Sequence, residues 1–296
     1  MAPMSQEQKS PRPLSPAEAE QACVSSVSAT QRAWADLELP GANRRLYEDN
    51  HLLALAKAPG LAVQGGTGIE TCLLDTVAAA LKRRDRKPGQ VFLAAAHRLD
   101  QPVGGLLLLA KTSKAASRLQ ASSRAGQWQK CYLAVVQGRA EEGPCLLEDY
   151  LVKDRQRNHS RTARADERGA RYSQLIYSRL AYSPREDQSL LLIALGTGRS
   201  HQIRVQLSSR GLALAGDWRY GQAGSRADLA LWSTYLSLPH PIGGRGRWTC
   251  FEAPAKTGFF KIFAREIAAL QEMDCRDLAS RLDRRPEGDL SPQKKG

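Results

Sequence analysis

The sequence predicts an α+β fold with a substantial β-sheet, and three observations support this prediction. The chain has 296 residues, of which 42% are apolar, enough to build a sizeable core. Short apolar runs bounded by Gly, Pro and charged residues are typical of buried strands. Longer segments with the apolar spacing of helices lie between those runs. Strands and helices should therefore pack together around a common core.

Five short apolar runs are the predicted strands. They are LLALA (52–56), VFLAAA (91–96), LLLLA (106–110), YLAVV (132–136) and LLIAL (191–195). Three segments have the spacing of helices, at 72–84, 113–124 and 200–210. Ser200 is the predicted N-cap of the third helix, which places Arg204 in its first turn. Leu and charged residues at helical spacing after about residue 266 predict a last helix.

The composition divides the chain into three parts. Residues 1–43 are rich in Ser, Pro, Gln, Glu and Ala, and we expect a disordered extension there. Residues 44–265 form the predicted folded domain, and residues 266–296 form a C-terminal helix with a disordered tail. Acidic residues interrupt the basic N-terminal segment, unlike an organelle transit peptide, so we expect a cytoplasmic protein and leave an organelle open. No apolar run approaches about 18 residues, so we expect no membrane span.

The charge of the chain predicts a polyanionic partner, of which nucleic acid is the commonest. Lys and Arg number 43 against 30 Asp and Glu, a formal net charge of +13. Basic residues concentrate at 82–87 (KRRDRK) and in a long polar segment at 153–171. We expect both clusters to contact phosphates and to make binding salt-sensitive, although a solvated loop would have the same composition.

The cysteines and histidines indicate neither a metal site nor a disulfide framework. The six cysteines are widely spaced and form no C-x-x-C pair, and the five histidines show no paired ligand spacing. We therefore expect no metal, and reduced thiols in a reducing compartment.

A polar tetrad, His97-Arg98-Leu99-Asp100, lies between two strongly apolar runs and is followed by a turn containing Pro and Gly. Loops held by strands at both ends often present catalytic groups, because the scaffold fixes their geometry. A turn in which Asp100 only caps backbone N–H groups would have the same spacing. The spacing alone leaves both interpretations open.

Four sequence blocks resemble the RluA-type RNA pseudouridine synthase family, in the order in which that family has them. They are LYEDNHLLALAKAPGLAVQ (46–64), HRLDQPVGGLLLLAKT (97–112), KCYLAVVQG (130–138) and GTGRSHQIRVQLSSRGLALAGDWRYG (196–221). The segments LSLPHP (236–241) and FEAP (251–254) are similar to its closing strands. The resemblance implies a mixed, largely antiparallel sheet with a central catalytic cleft flanked by helices, within residues 44–265.

The resemblance also implies roles for three catalytic residues. Asp100 matches the essential carboxylate, which acts on the ribose or on the base. Tyr132 matches the tyrosine that packs against the base and is a candidate for moving the proton. Arg204 matches the basic residue that pairs with the carboxylate; we expect its planar guanidinium to bond both carboxylate oxygens of Asp100.

Four further residues are implied as substrate contacts. Arg98 matches the arginine that enters the RNA helix where the uridine has left. His97, His201 and Ile203 are expected as further substrate-binding residues, with Ile203 on the buried face of the predicted helix. Either histidine is more consistent with a structural or RNA-positioning role than with a general base.

Two neighbouring features carry weaker expectations. In GDWRYG (216–221), Asp217 is expected to fix turn geometry, and Trp218 and Tyr220 to pack and shape that turn. The chain has Val103-Gly104-Gly105 where the family usually has Thr-Ser-Gly, so two hydroxyls that could fix the catalytic loop are missing.

The implied activity is the isomerisation of uridine to pseudouridine in structured ribosomal or transfer RNA, by base flipping. We expect the protein to act as a monomer, without a cofactor, a metal or a membrane. Two alternatives stay open. One is a catalytically silent RNA-binding or ribosome-associated protein with the same fold. The other is a glycosidase or hydrolase in which Asp217 serves as a second acid beside Asp100.

Overall fold

The computed structural model describes residues 37, 39, 41–66, 71–221 and 229–282. Almost all of the predicted N-terminal extension and the end of the predicted C-terminal tail lie outside these residues. No described helix is both long and apolar enough to cross a bilayer. The five described cysteines are free thiols.

The described strands and helices alternate along the chain. The strands are β1 (Arg44–Glu48), β2 (Leu52–Lys57), β3 (Ala94–Ala95), β4 (Gly104–Ala110), β5 (Gln129–Gln137), β6 (Cys145–Asp154), β7 (His159–Ala163), β8 (Arg171–Ser183), β9 (Gln188–Leu195), β10 (Leu231–Pro239) and β11 (Arg247–Phe251). The helices are α1 (Leu73–Arg84), α2 (Ser113–Arg124), α3 (Gln202–Ser208), α4 (Ala264–Ala269) and α5 (Glu272–Ser280), with a 3₁₀ helix at Gly258–Phe263.

The described strands form one sheet with the order β1-β2-β4-β10-β5-β9-β8-β6-β7, with β3 against β4 and β11 against β10. The pairing of β4 with β10 is parallel, and the other pairings among the described strands are antiparallel. The predicted α+β class with a mixed, largely antiparallel sheet is therefore confirmed.

One predicted strand and one predicted helix differ from the structure. Only Ala94–Ala95 of the run at 91–96 is a strand. β10 pairs with one edge of β4 at Gly104 and Gly105, so β3 can pair with that edge only at its other end. The helix predicted at 200–210 spans 202–208. Ser200 is not its N-cap; that position is held by His201, whose φ of 55° is left-handed.

The central strand β5 shows how the sheet separates two apolar layers. Tyr132, Ala134 and Val136 face the layer that contains α1, because alternate side chains of a strand point to opposite faces. Cys131, Leu133 and Val135 face the layer filled by the 3₁₀ helix and the C-terminal helices α4 and α5. The helices after residue 263 therefore complete the core on the second face and leave the first face to form the cleft.

Candidate active site

A cleft of about 1010 Å³ opens on the face of the sheet that carries Tyr132. Its walls come from the β3–β4 loop, β5, the β9–α3 loop and the β6–β7 hairpin. The three predicted catalytic residues, Asp100, Tyr132 and Arg204, all line it. They come from distant parts of the chain, so the fold brings them together.

The loop that carries Asp100 is fixed from beneath by Lys57. The Lys57 side chain is fully buried, and its Nζ donates to the carbonyl oxygens of Ala58 (2.9 Å), Leu61 (2.8 Å) and Gln101 (3.1 Å). Burial lowers the pKa of Lys57 to about 8, and the negative charge of Asp100 acts in the opposite direction. Lys57 thus ties the turn after β2 to Gln101, the residue that follows Asp100, a role that sequence reasoning missed.

Packing against β10 explains one of the two missing hydroxyls of the catalytic loop, the one at Gly104. A Cβ atom on Gly104 would lie 2.4 Å from the ring of Trp232, so that ring occupies the space where a serine side chain would project. Gly105 has a φ of +107°, and a Cβ there would lie 2.2 Å from the carbonyl oxygen of Ser233. Close contact with β10, rather than side-chain hydroxyls, therefore holds this end of the loop.

The bidentate partner of Arg204 is Asp217, which corrects the expected pairing with Asp100. The Arg204 Nε and Nη2 donate to the two carboxylate oxygens of Asp217, both at 2.7 Å, and both side chains are buried. Nη1 remains to donate to Oδ2 of Asp100 at 3.4 Å. Asp217 already uses both oxygens on a buried guanidinium, which does not fit the role of second acid in a hydrolase.

Asp100 is the one partly exposed acid of this group, with 31% of its side chain accessible. Among the described residues, the hydrogen bond to its carboxylate comes from Arg204 and not from a backbone N–H. The alternative in which Asp100 only caps a turn is therefore not supported.

A hydrogen-bonded chain places a second group beside Asp100. The N–H of Ser160 donates to Oη of Tyr220 at 2.8 Å, and that hydroxyl lies 2.6 Å from Nδ1 of His201. Tyr220 accepts from Ser160 and has its own hydrogen to donate to Nδ1. In the tautomer that carries the proton on Nε2, this nitrogen lies 3.7 Å from Oδ2 of Asp100. Burial lowers the pKa of His201 to about 4, so this imidazole is neutral at pH 7.

Tyr132 forms the inner wall of the cleft. It is 7% exposed and projects from the central strand β5, which is paired on both sides. Burial raises the pKa of its phenol above the ordinary value, an effect that a hydrogen bond to Ser233 partly opposes. Tyr132 is therefore a neutral, rigidly held ring whose exposed part faces the cleft.

The predicted substrate contacts occupy different environments. Arg98 is exposed at the cleft mouth, and no described residue holds its guanidinium in an ion pair. His97 lines the cleft, but its Nε2 accepts a hydrogen bond from the backbone N–H of Leu108. Ile203 is buried in the core cluster that contains Tyr132 and is not among the cleft-lining residues, so it supports the site from behind.

The imidazole of His97, partly buried in the wall of the cleft, predicts a loss of stability in acid. Burial lowers the pKa of His97 to about 3, whereas an unfolded histidine titrates near 6.5. The unfolded chain therefore binds the extra proton as the pH falls from about 6.5 towards 3, and the free energy of unfolding should fall by up to about 1.4 kcal/mol per pH unit from this group. Urea unfolding of His97→Gln should show a shallower pH dependence than the wild type. His51→Gln is the matched control, and parallel curves for wild type and His97→Gln would contradict the prediction.

The two basic clusters are placed differently. In the cluster at 82–87, Arg84 forms a bidentate ion pair with the buried Glu48, and none of its residues lines the cleft. The segment 153–171, predicted as a polar connection, contains β7, and Lys153 and Asn158 of the β6–β7 hairpin line the cleft. The hairpin was missed because its half-polar strands lack a continuous apolar run.

The described residues include no group of three or more His, Cys, Asp or Glu side chains arranged to hold a metal ion.

Comparison with known proteins identifies a family. Residues 51–209 match the family model described as RNA pseudouridylate synthase. The chain is 32% identical over 260 residues to the ribosomal large subunit pseudouridine synthase C of Escherichia coli (strain K12), which covers 83% of this chain and 75% of that protein. It is 33% identical over 180 residues to the protein of the same name from Haemophilus influenzae, covering 60% of this chain and 53% of that protein.

The fold has solved counterparts. The structure of human RNA Pseudouridylate Synthase Domain Containing 4 aligns with a TM-score of 0.61 and 21% identity, covering 84% of this chain and 97% of that one. The structure of human RNA Pseudouridylate Synthase Domain Containing 1 aligns with a TM-score of 0.58 and 20% identity, covering 79% of this chain and 98% of that one.

Proposed function

Because the chain belongs to the RluA-type RNA pseudouridine synthase family, and is thus an enzyme that isomerises uridine in RNA, we propose that its substrate is ribosomal RNA of the large subunit. The names of its curated relatives support this choice over transfer RNA. We further propose that it acts as a cytoplasmic monomer without metal or cofactor.

In the proposed reaction, Asp100 supplies the essential negative charge at the reacting centre. The N1–C1′ bond of the target uridine breaks, the uracil turns, and C5 forms a new bond to C1′. A proton leaves C5 and N1 gains one, so the product has the composition of the substrate. Arg204 and the Nε2–H of His201 stabilise the charge of Asp100 from one side, at 3.4 and 3.7 Å.

The enzyme must extrude the target base, since a uridine within a stem cannot reach a carboxylate at the inner end of a cleft. Extrusion costs a few kcal/mol, which stacking on an aromatic side chain offsets in part. In this proposal Tyr132 offers that aromatic surface, and Arg98, which is exposed and lines the cleft, enters the space left in the helix. The basic β6–β7 hairpin would contact the neighbouring phosphates.

The single observation that carries this proposal is the convergence of Asp100, Arg204 and Tyr132 in one cleft. Incubation of the purified protein with large-subunit RNA lacking pseudouridine, followed by nucleoside analysis, tests it. We expect new pseudouridine in an intact RNA chain. Tight binding without product would favour the silent RNA-binding protein, and free uracil or a cleaved chain would favour the hydrolase.

A further inference from the structure

Of the large apolar side chains that are exposed in the described part of the chain, Trp218 is the one that lines the cleft. It is 56% exposed, although it follows the buried Asp217 directly. The expectation that it packs within the turn is therefore wrong, whereas its neighbour Tyr220 does pack, stacked on His159 and against Arg204. An exposed aromatic ring beside a basic cleft is the arrangement on which bases stack in proteins that bind single-stranded nucleic acid.

The backbone on both sides of Trp218 is fixed. The carboxylate of Asp217 accepts from the N–H groups of Arg219 (3.0 Å) and Tyr220 (3.2 Å), and the N–H of Trp218 donates to the carbonyl of Gly216 (3.1 Å). The same carboxylate holds Arg204, which reaches Asp100. The backbone that carries the indole is thus anchored to the catalytic charge pair through the side chain of Asp217, which reduces the ordering needed when a ligand binds.

One face of the indole is covered by a cation. The guanidinium of Arg219 lies 4.6 Å from the ring centroid of Trp218. Its position is fixed because Nη1 donates to the carbonyl oxygens of Arg157 (3.2 Å) and Asn158 (2.8 Å) in the β6–β7 hairpin. Since the ring remains 56% exposed, the opposite face is open.

The surroundings of that open face select a ligand that is both flat and anionic. Lys153, Arg199 and Arg98 line the same cleft and give it a positive potential. Proteins that hold single-stranded nucleic acid combine such a basic groove with aromatic rings on which bases stack. An apolar peptide would gain from the indole but not from the cations.

We propose that Trp218 is a second stacking platform, which holds a base of the RNA strand next to the extruded uridine. This inference rests on the proposed function and deepens it. Tyr132, at the inner end of the cleft, receives the target base, and Trp218, at the mouth, receives a neighbour. The stacked base would then be connected, through Trp218 and Arg219, to the β6–β7 hairpin.

Binding of a fluorescein-labelled oligouridylate of about 12 nucleotides tests this proposal. Trp218→Ala should weaken binding roughly 5- to 150-fold, and Trp218→Phe should retain most of it because a phenyl ring still stacks. Phe92→Ala is the matched control, since Phe92 is a similarly exposed aromatic residue (46%) that does not line the cleft. An abasic oligonucleotide of equal length should bind all four proteins equally.

Two results would overturn the proposal. If Trp218→Ala binds the oligouridylate as tightly as the wild type, no base stacks on the indole. If it loses the same factor on the abasic oligonucleotide, the side chain acts through the hairpin and the phosphates. Binding is measured without turnover. If Trp218→Ala shows the base-dependent loss while the wild-type protein forms no pseudouridine, the proposed function is refuted and the stacking is supported.

Discussion

Replacement of Asp100 by asparagine is expected to abolish pseudouridine formation while leaving the fold and RNA binding intact. Asparagine has nearly the same shape but supplies no negative charge, so the rate should fall by roughly 10⁴-fold or more. The fold should persist because Arg204 keeps its two short bonds to Asp217. Affinity for RNA should stay equal or rise, since a partly exposed anion is removed from a cleft that receives phosphates.

Single-turnover assays and filter binding on the same RNA check this expectation. Asp277→Asn is the matched control, because Asp277 is exposed on α5 and does not line the cleft. If Asp100→Asn kept a tenth of the wild-type rate, the carboxylate of Asp100 would not be essential for the reaction. Loss of binding together with turnover would instead assign Asp100 a structural role.

Local sequence patterns predicted those strands and helices whose burial is visible in their own residues. The runs in β2, β4, β5 and β9 are apolar at almost every position, because each is buried on both faces, and α1 and α2 begin and end within one residue of their predicted bounds. The strand β7 (HSRTA) has one buried residue, Ser160, and its pattern is indistinguishable from a polar loop. Its position depends on pairing with β6, which no local pattern reports.

The candidate site was predicted in its residues but not in its pairings. Asp100, Tyr132 and Arg204 follow from the family resemblance, and the structure places them in one cleft. The resemblance suggested that the guanidinium fork of Arg204 binds Asp100. The fork binds Asp217 instead, because the turn after α3 brings that carboxylate, 13 residues on, against the same helix.

The support beneath the site could not be predicted because it depends on tertiary contacts between small elements. Lys57 ends a strand and would ordinarily be expected to reach solvent, yet it is enclosed by three carbonyl oxygens. Trp218 is of a residue type usually found in the core, yet it is exposed. The hydrogen bonds of Asp217, and not the hydrophobicity of Trp218, set the orientation of this turn. Both positions deviate from simple burial rules at the functional site, where such deviations are expected.

The second large expected effect concerns the buried pair of Arg204 and Asp217. Arg204→Lys keeps the charge but cannot bond both Asp217 oxygens and reach Asp100 at once, so turnover should fall on the order of 10²-fold with little change in RNA affinity. Asp217→Asn leaves the buried guanidinium without its anion and should cost roughly 3–5 kcal/mol of unfolding free energy. At temperatures where this variant stays folded, its turnover should fall by a similar factor, because Arg204 is no longer held towards Asp100.

A double-mutant cycle separates positioning from mere stability. If Asp217 acts on the reaction through Arg204, the combined variant should lose no more turnover than Arg204→Lys alone, so the two effects will be strongly non-additive. Additive effects on turnover would show that Asp217 and Arg204 act independently. Unchanged turnover of folded Asp217→Asn, despite its lower stability, would mean that the pair only stabilises the fold and that His201 is sufficient to stabilise the charge of Asp100.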